Sequence, residues 1–327
     1  MTVTRTRQSS AISGAKPLVS VAITTFNSAN WLSRALDSVL GQEVDFPFEI
    51  VVGDDCSQDT TVDIALSYQA RQPNLIRVLE RTRNIGMQRN YYDTFEQCRG
   101  QFIAWLDADD YWTDPKKLAI QANTLIADTT AAACCHYVRW VTSDQQVQRD
   151  RYPTIPAGRY GLAEILQHNF VPSPSVMFRN GIHRTLPPWY FDLAPTTDWP
   201  IWVLSAISGD IVLLDRVMAD YMLTPNSAYW SKGNLHWHEM DARFYEHVES
   251  ILPAKWHRLS KIEKCKRYEA IAYWTRKQGN YTSSRQAALK AFRAPFWMDR
   301  LGSKTKSLFA AVAREIEWRL KGKRAMG

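Results

Sequence analysis

Four short runs rich in Val, Ile and Leu recur through the first third of the chain: Val19-Ser-Val-Ala-Ile23, Phe48-Glu-Ile-Val-Val52, Ile76-Arg-Val-Leu79 and Phe102-Ile-Ala-Trp-Leu106. Between the first two, Trp31, Leu32, Ala35, Leu36, Val39 and Leu40 recur at helical spacing, with Asn27 or Ser28 as the cap and Gly41 as the stop. Helical patterns over about 60–72 and 87–98 separate the later runs. A strand joined to its neighbour through a helix pairs with it in parallel, because a tight hairpin is no longer available. The alternation therefore predicts an α/β chain with a mostly parallel, Rossmann-like sheet covered by helices. Such sheets gather their ligands at the carboxyl ends of the strands.

Three polar loops leave those ends. Thr24-Thr-Phe26-Asn27 follows the first run, Gly53-Asp54-Asp55-Cys56-Ser57 the second, and Asp107-Ala-Asp109-Asp110 the fourth. Clustered carboxylates repel one another and are best tolerated where they share a cation. Hard oxygen ligands at this spacing suit Mg²⁺ or Mn²⁺ carrying a substrate diphosphate. Asp114-Pro115 reads as an N-cap with Pro at the first helical position. No Gly-x-Gly-x-x-Gly follows the first run and no Walker lysine loop is present, so dinucleotide and P-loop chemistry lack support.

The second half is less regular. Phe170–Phe178 reads as a strand entered through a Pro-rich loop, Asp198 opens an apolar helix ending near Gly209, and Ile211–Leu214 and Val217–Tyr221 read as two short strands. Beyond Pro253 the pattern is helical, over 256–278 and 282–292 and again from about 304 to 321. The charge is uneven: residues 255–327 carry 19 Lys and Arg against 5 Asp and Glu, whereas the preceding residues carry 21 against 28. The basic balance therefore belongs to the carboxyl end and does not describe the sheet. No nucleic-acid module is visible and the sheet half is acidic, which disfavours nucleic acid as a partner. The five cysteines show no Cys-x-x-Cys spacing and read as reduced core thiols. Residues 1–16 lack an apolar core region and read as a flexible tail, and no apolar run reaches the ~18 residues of a membrane span.

Taken together, Val19-Ser-Val-Ala-Ile-Thr-Thr-Phe-Asn27, Ile50-Val-Val-Gly-Asp-Asp-Cys-Ser57, Asn84-Ile-Gly86, Leu106-Asp-Ala-Asp-Asp110 and Thr197-Asp198-Trp199 resemble the family 2 glycosyltransferases, over roughly residues 17–229. The resemblance implies a GT-A-type nucleotide-sugar fold with a helical C-terminal extension. It implies a tail over 1–16, a nucleotide-sugar-binding half over 17–130, an acceptor-binding half of the same domain over 131–253, and a basic extension over 254–327. It also implies roles. Thr24 and Phe26 would line the nucleobase pocket, Asp55 would accept the base's N–H with Asp54 beside it, and Asp107 would contact the ribose. Arg89 would face the diphosphate, Asp109 and Asp110 would hold Mn²⁺ or Mg²⁺, and Asp198 would be the general base. Asp55 and Ser57 also suit a helix cap, Asp198 an N-cap, and Arg89 a plain surface. Tyr221-Met-Leu-Thr224 stands where members with this ending often read Tyr-Arg-x-His, so His236 or His238, from what reads as an Asn234–His238 loop, are alternative metal ligands. Trp189 and Trp230 are the tryptophans best placed to stack on a sugar.

The activity implied is inverting transfer of a sugar from a nucleotide-diphosphate donor, UDP favoured with TDP and GDP open, to a hydroxyl of a glycan or lipid-linked acceptor in bacterial cell-surface polysaccharide assembly. The expected partners are the nucleotide-sugar donor and that acceptor. Two other readings stand beside it: a catalytically silent GT-A-like scaffold, and a sugar nucleotidyltransferase, which should show a Gly-rich basic loop after the first strand. The expected location is the cytoplasm. The basic amphipathic C-terminal helices suit either peripheral contact with an anionic membrane at its inner face or domain packing.

Overall fold

The computed structural model describes residues 16–193, 198–224 and 233–293. The chain divides into two compact units at Thr224/Pro225. In the first, strands β1 (Val19–Thr25), β2 (Phe48–Asp54), β3 (Ile76–Glu80) and β4 (Phe102–Asp107) alternate with helices α1 (Leu32–Leu40), α2 (Thr61–Arg71) and α3 (Met87–Glu96). The pattern continues with β5 (Tyr111–Trp112), α4 (Lys117–Ala127), β6 (Ala131–Thr142), β7 (Val147–Tyr152), β8 (Gly158–Tyr160), α5 (Leu162–Gln167), β9 (Met177–Arg179), α6 (Trp199–Ser208) and β10 (Asp210–Leu223).

One sheet runs β3-β2-β1-β4-β9-β6-β10-β5, with β7 beside β6 and β8 beside β10. Its first four strands are parallel; β9 is antiparallel to both β4 and β6, and β6 and β10 are parallel. Side chains alternate across the sheet and so sort into two cores. Val21, Ile23, Ile50, Val52, Ala104 and Leu106 pack with Leu32, Leu36 and Val39 of α1, Ala65 of α2 and Leu118 of α4. On the other face Trp105 meets Tyr91 and Phe95 of α3 and Trp202 of α6 edge-on or tilted, at 4.5–5.8 Å between ring centres. Such pairs add roughly 0.5–1.5 kcal/mol each beyond their buried area. Asp107 is two residues beyond Trp105 and so projects on this second face, at the carboxyl edge.

Several elements differ from the sequence expectation. The Phe170–Phe178 stretch is not one strand: Pro172 and Pro174 commit it to a 3₁₀ turn over Ser173–Ser175 before β9 begins. The two short strands expected over 211–221 are one, β10, whose register shifts where exposed Asp215 and Arg216 bulge. Helix α4 starts at Lys117 and not at Pro115, although the Asp114 carboxylate accepts from the Lys116 amide at 2.8 Å as an N-cap would. The N-cap of α1 is Trp31.

The second unit holds α7 (Gly233–His247), α8 (His257–Lys277) and α9 (Tyr281–Arg293). Ala242, Cys265, Tyr268, Ile271, Ala272, Ala287, Ala288 and Ala291 form its core, with small Ala side chains letting α8 and α9 lie close. Five of its described cations are in ion pairs: Lys261 and Lys264 with Glu249, Lys266 with Glu263, Arg267 with Asp241 and Lys290 with Glu246. The segment expected to be helical over 304–321 lies outside the described residues. No described helix is long and apolar enough to cross a membrane.

Candidate active site

Register brings the first carboxylates together. Thr24 of β1 lies opposite Gly53 of β2 on one side and Asp107 of β4 on the other. Asp107 sits in a cradle of donors: Oδ1 accepts from Thr24 Oγ1 at 3.0 Å, the Tyr91 hydroxyl at 2.9 Å and the Trp105 indole at 3.1 Å, and Oδ2 accepts from Ser173 Oγ at 2.7 Å. Four donors on one carboxylate fix its plane. Thr24 and Asp107 were legible in the sequence. Tyr91 and Ser173, which arrive from α3 and the Ser-Pro turn, were not.

The Asp54–Ser57 loop is a built turn. Asp54 accepts from the Ser57 amide and hydroxyl at 2.9 and 2.5 Å, and Cys56 takes a positive φ of 63°. Asp55 is buried and reaches the Asn84-Ile85-Gly86 turn, accepting from the Ile85 and Gly86 amides at 2.7 and 3.1 Å. Burial pushes the Asp55 carboxyl above its ordinary value, and these two amides and Arg81 pull it back. Neither Asp55 nor Ser57 caps α2; Asp59 accepts from the Thr61 amide instead. Gly86 stands at φ +87°, open to Gly and strained for other residues. Phe26, by contrast, is 47 % exposed, a ring offered to solvent at the end of β1.

Asp109 and Asp110 part company. Asp110 is buried, and its Oδ1 accepts from the Met222 amide of β10 at 2.7 Å. Asp109 is half-buried and has no hydrogen-bond partner on another described residue. Burial and the Asp107 charge push Asp109 up to about 7. Burial, then Asp109 and Asp107, push Asp110 up in the same direction. Among the described residues no three His, Cys, Asp or Glu side chains converge to hold a metal ion.

Asp198 stands at the N-cap position of α6 but makes no capping side-chain bond. Asn169 Nδ2 donates to its Oδ1 at 3.0 Å. Burial raises the Asp198 carboxyl above its ordinary value, opposed by Asn169, by the amides of Asp198 and Trp199, and by the Trp202 indole. Tyr221 ties the two regions together, since its phenol is raised by burial and by the charges of Asp110, Asp109, Asp107 and Asp198 together. Asn169 and Ser173, four residues apart on one segment, bond Asp198 and Asp107 respectively, and Asp109 and Asp110 follow Asp107 directly at the carboxyl edge of the sheet.

Arg89 is exposed, with its guanidinium 3.8 Å from the centre of the Phe191 ring. That stacking ties α3 to the 3₁₀ turn Pro188–Asp192, which also carries half-buried Trp189. His236 and His238, expected in a loop, lie instead within α7 of the second unit. Thr197 and Trp230 lie outside the described residues.

Residues 20–186 match the model of Glycosyl transferase family 2, and the chain belongs to this family. An uncharacterized protein of Mycobacterium tuberculosis is 32% identical over 206 residues, which cover 62% of this chain and 58% of that protein. The chain thus spans under two thirds of that relative's length. The putative teichuronic acid biosynthesis glycosyltransferase TuaG of Bacillus subtilis is 33% identical over 102 residues, 31% of this chain and 39% of that one. Among solved structures, S. aureus TarS 1–349 in complex with UDP-GlcNAc superposes with a TM-score of 0.62 at 19% identity, covering 91% of this chain and 88% of that one. The mannosyltransferase PcManGT from Pyrobaculum calidifontis, in complex with GDP-Man and Mn²⁺, gives 0.54 at 15% identity, covering 93% and 88%. At these identities the likeness is one of fold, the GT-A type.

Proposed function

We propose that this chain is an inverting glycosyltransferase. In this reading it moves a sugar from a nucleotide-diphosphate donor, UDP favoured, to a hydroxyl of a glycan or lipid-linked acceptor in cell-surface polysaccharide assembly. The observation that carries the reading is the Asn169–Ser173 segment, which bonds both Asp198 and Asp107, with Asp109 and Asp110 following Asp107 at the carboxyl edge of a parallel sheet. The relative named for teichuronic acid biosynthesis supports the pathway, and the neighbours solved with UDP-GlcNAc and GDP-Man support the donor class.

The donor's base would stack on exposed Phe26, above a floor set by Thr24 and the Asp54–Asp55 turn. Asp107, fixed by its four donors, would accept from the ribose through the free side of Oδ2. A guanidinium stacked on a ring keeps its N–H edge free, so Arg89 would reach phosphate oxygens from its place on Phe191. The donor set fits a hard divalent cation: Asp109 has no hydrogen-bond partner on another described residue, and burial together with the Asp107 charge raises its carboxyl. Mg²⁺ and Mn²⁺ are held through one or two carboxylates plus substrate phosphates, so Asp109 would be the principal ligand and Asp110, bonded to Met222, its support. Such an ion would neutralise charge on the departing diphosphate. Asp198 would take the acceptor's proton as its oxygen attacks the anomeric carbon from the side opposite the leaving group.

The test is thermal stability against UDP, GDP, TDP and CDP, each with and without Mn²⁺. A site filled at about 100 times its dissociation constant adds roughly 2.7 kcal/mol. A metal-dependent rise with one nucleotide is expected. No rise with any of them would leave the silent-scaffold reading in its place.

A further inference from the structure

One short segment touches both ends of the site. Asn169 donates to Asp198 Oδ1 at 3.0 Å, and four residues later Ser173 donates to Asp107 Oδ2 at 2.7 Å. The segment is stiff. Pro172 and Pro174 fix their φ angles, and Ser175 Oγ donates back to the Pro172 carbonyl at 2.7 Å. The Trp112 indole holds the Pro174 carbonyl at 3.0 Å, and the buried Gln121 amide holds that of Ser175 at 2.8 Å. A rigid segment that donates to two carboxylates fixes where each lies relative to the other. The donation has one sense only: an ionised carboxylate accepts, so the amide NH₂ must face it. Asn169 Oδ1 is correspondingly buried without a donor among the described residues.

We propose that Asn169 is a positioning residue: by occupying Oδ1 it fixes the rotation of the Asp198 carboxylate and leaves Oδ2 as the oxygen that receives the acceptor's proton. The inference rests on the glycosyltransferase reading above. In the step it serves, the acceptor oxygen bonds to the anomeric carbon and its proton passes to Asp198 Oδ2. The bond from that carbon to the diphosphate breaks, and the nucleoside diphosphate leaves with the electron pair. Asn169 gives up no proton and takes none. Its work is to hold the base in line, and a misplacement of ~1 Å at such a group costs on the order of 100-fold.

Among the described residues the phenols of Tyr190 and Tyr221 face Asp198; burial and the Asp198 charge push up Tyr190, and burial with the charges of Asp110, Asp109, Asp107 and Asp198 pushes up Tyr221, so both stay neutral across the working range. Asp109 is also raised and can contribute to the acidic limb of the rate profile, so the contribution of Asp198 is read as the difference between wild type and the Asn169 variants at saturating Mn²⁺ and donor. The experiment measures nucleoside diphosphate release from a panel of UDP-, GDP- and TDP-linked hexoses with Mn²⁺, for wild type, Asn169→Ala, Asn169→Asp and Ser173→Ala. Asn169→Ala should lower kcat roughly 10- to 100-fold with donor KM within about twofold, and should move the acidic limb to higher pH because a bond to the charged form is gone. Asn169→Asp, nearly isosteric, should move it further by adding a like charge, and serves if the Ala variant fails to fold. Ser173→Ala should change donor KM and leave the limb in place. If both Asn169 variants fold and keep kcat and the limb within about twofold of wild type, the proposal is overturned alone. If wild type releases no diphosphate from any donor, the glycosyltransferase reading falls and takes the proposal with it.

Discussion

Asp109 offers the sharpest electrostatic prediction, because burial and one neighbouring charge dominate its carboxyl and no other described residue bonds to it. Its carboxyl is pushed up to about 7 by burial and by Asp107, from an ordinary 3.8. The unfolded chain gives up this proton near 3.8 and the folded chain near 7. Between those values the folded state binds more protons, so stability falls as pH rises through the window and levels off above it. A gap of ~3 units corresponds to about 4 kcal/mol at 1.36 kcal/mol per unit. Asp109 is partly exposed, and screening by solvent reduces this to about 2 kcal/mol. Asp109→Asn keeps the shape and cannot ionise. Its advantage over wild type should be small at pH 4.5 and approach ~2 kcal/mol at pH 7.5, or about 4–8 °C in Tm for a unit of this size. Differential scanning of the pair at both pH values, in chelator, reads this directly. Adding Mn²⁺ with the matching nucleoside diphosphate should then raise wild type and leave the variant unmoved. A variant that melts at or below wild type at pH 7.5, or a gap that ignores pH, would refute the reasoning.

Three further outcomes follow from named contacts. Gly53→Ala should destabilise by roughly 1–3 kcal/mol in urea titrations, because its new Cβ would meet Thr94 Oγ1 at 1.9 Å where α3 lies on β2. Tyr91→Phe should weaken nucleotide-dependent stabilisation, since it removes a 2.9 Å donor to Asp107 worth about 1.5–3 kcal/mol for a charged acceptor. Lys117 is fully buried and lowered to about 7 by that burial, so above pH 7 the unfolded chain holds its proton and the folded one does not. Its contribution to stability therefore rises from about pH 7 to 10.5. Lys117→Met should remove that rise in a comparison of melting at pH 7 and 9.

The parallel half of the sheet was legible because each strand there is a Val- and Ile-rich run separated from the next by a helical period. The acidic turns were legible because they fall at strand ends. What escaped was set by partners distant in sequence. Tyr91 meets Asp107 across 16 residues, Ser173 meets it across 66, and Asn169 meets Asp198 across 29. No local pattern encodes those distances. The apolar content of Phe170–Phe178 suggests a strand, while its two prolines decide for a turn. Asp109 and Asp110 look equivalent as adjacent carboxylates, and only the Met222 amide of β10 separates them. His236 and His238 sit among polar residues that resemble a loop, yet Met240, Ala242, Phe244 and Tyr245 give that stretch a buried helical face.

The central claim is that Asp198 is the base of a sugar transfer. The direct measurement is sugar transfer and nucleoside diphosphate release by wild type and Asp198→Asn, with nucleotide binding followed in parallel by calorimetry. The account predicts that the variant binds the donor nucleotide with the affinity of wild type and loses turnover by 100-fold or more, on the order expected for removal of a general base. Equal turnover by the two proteins would contradict it.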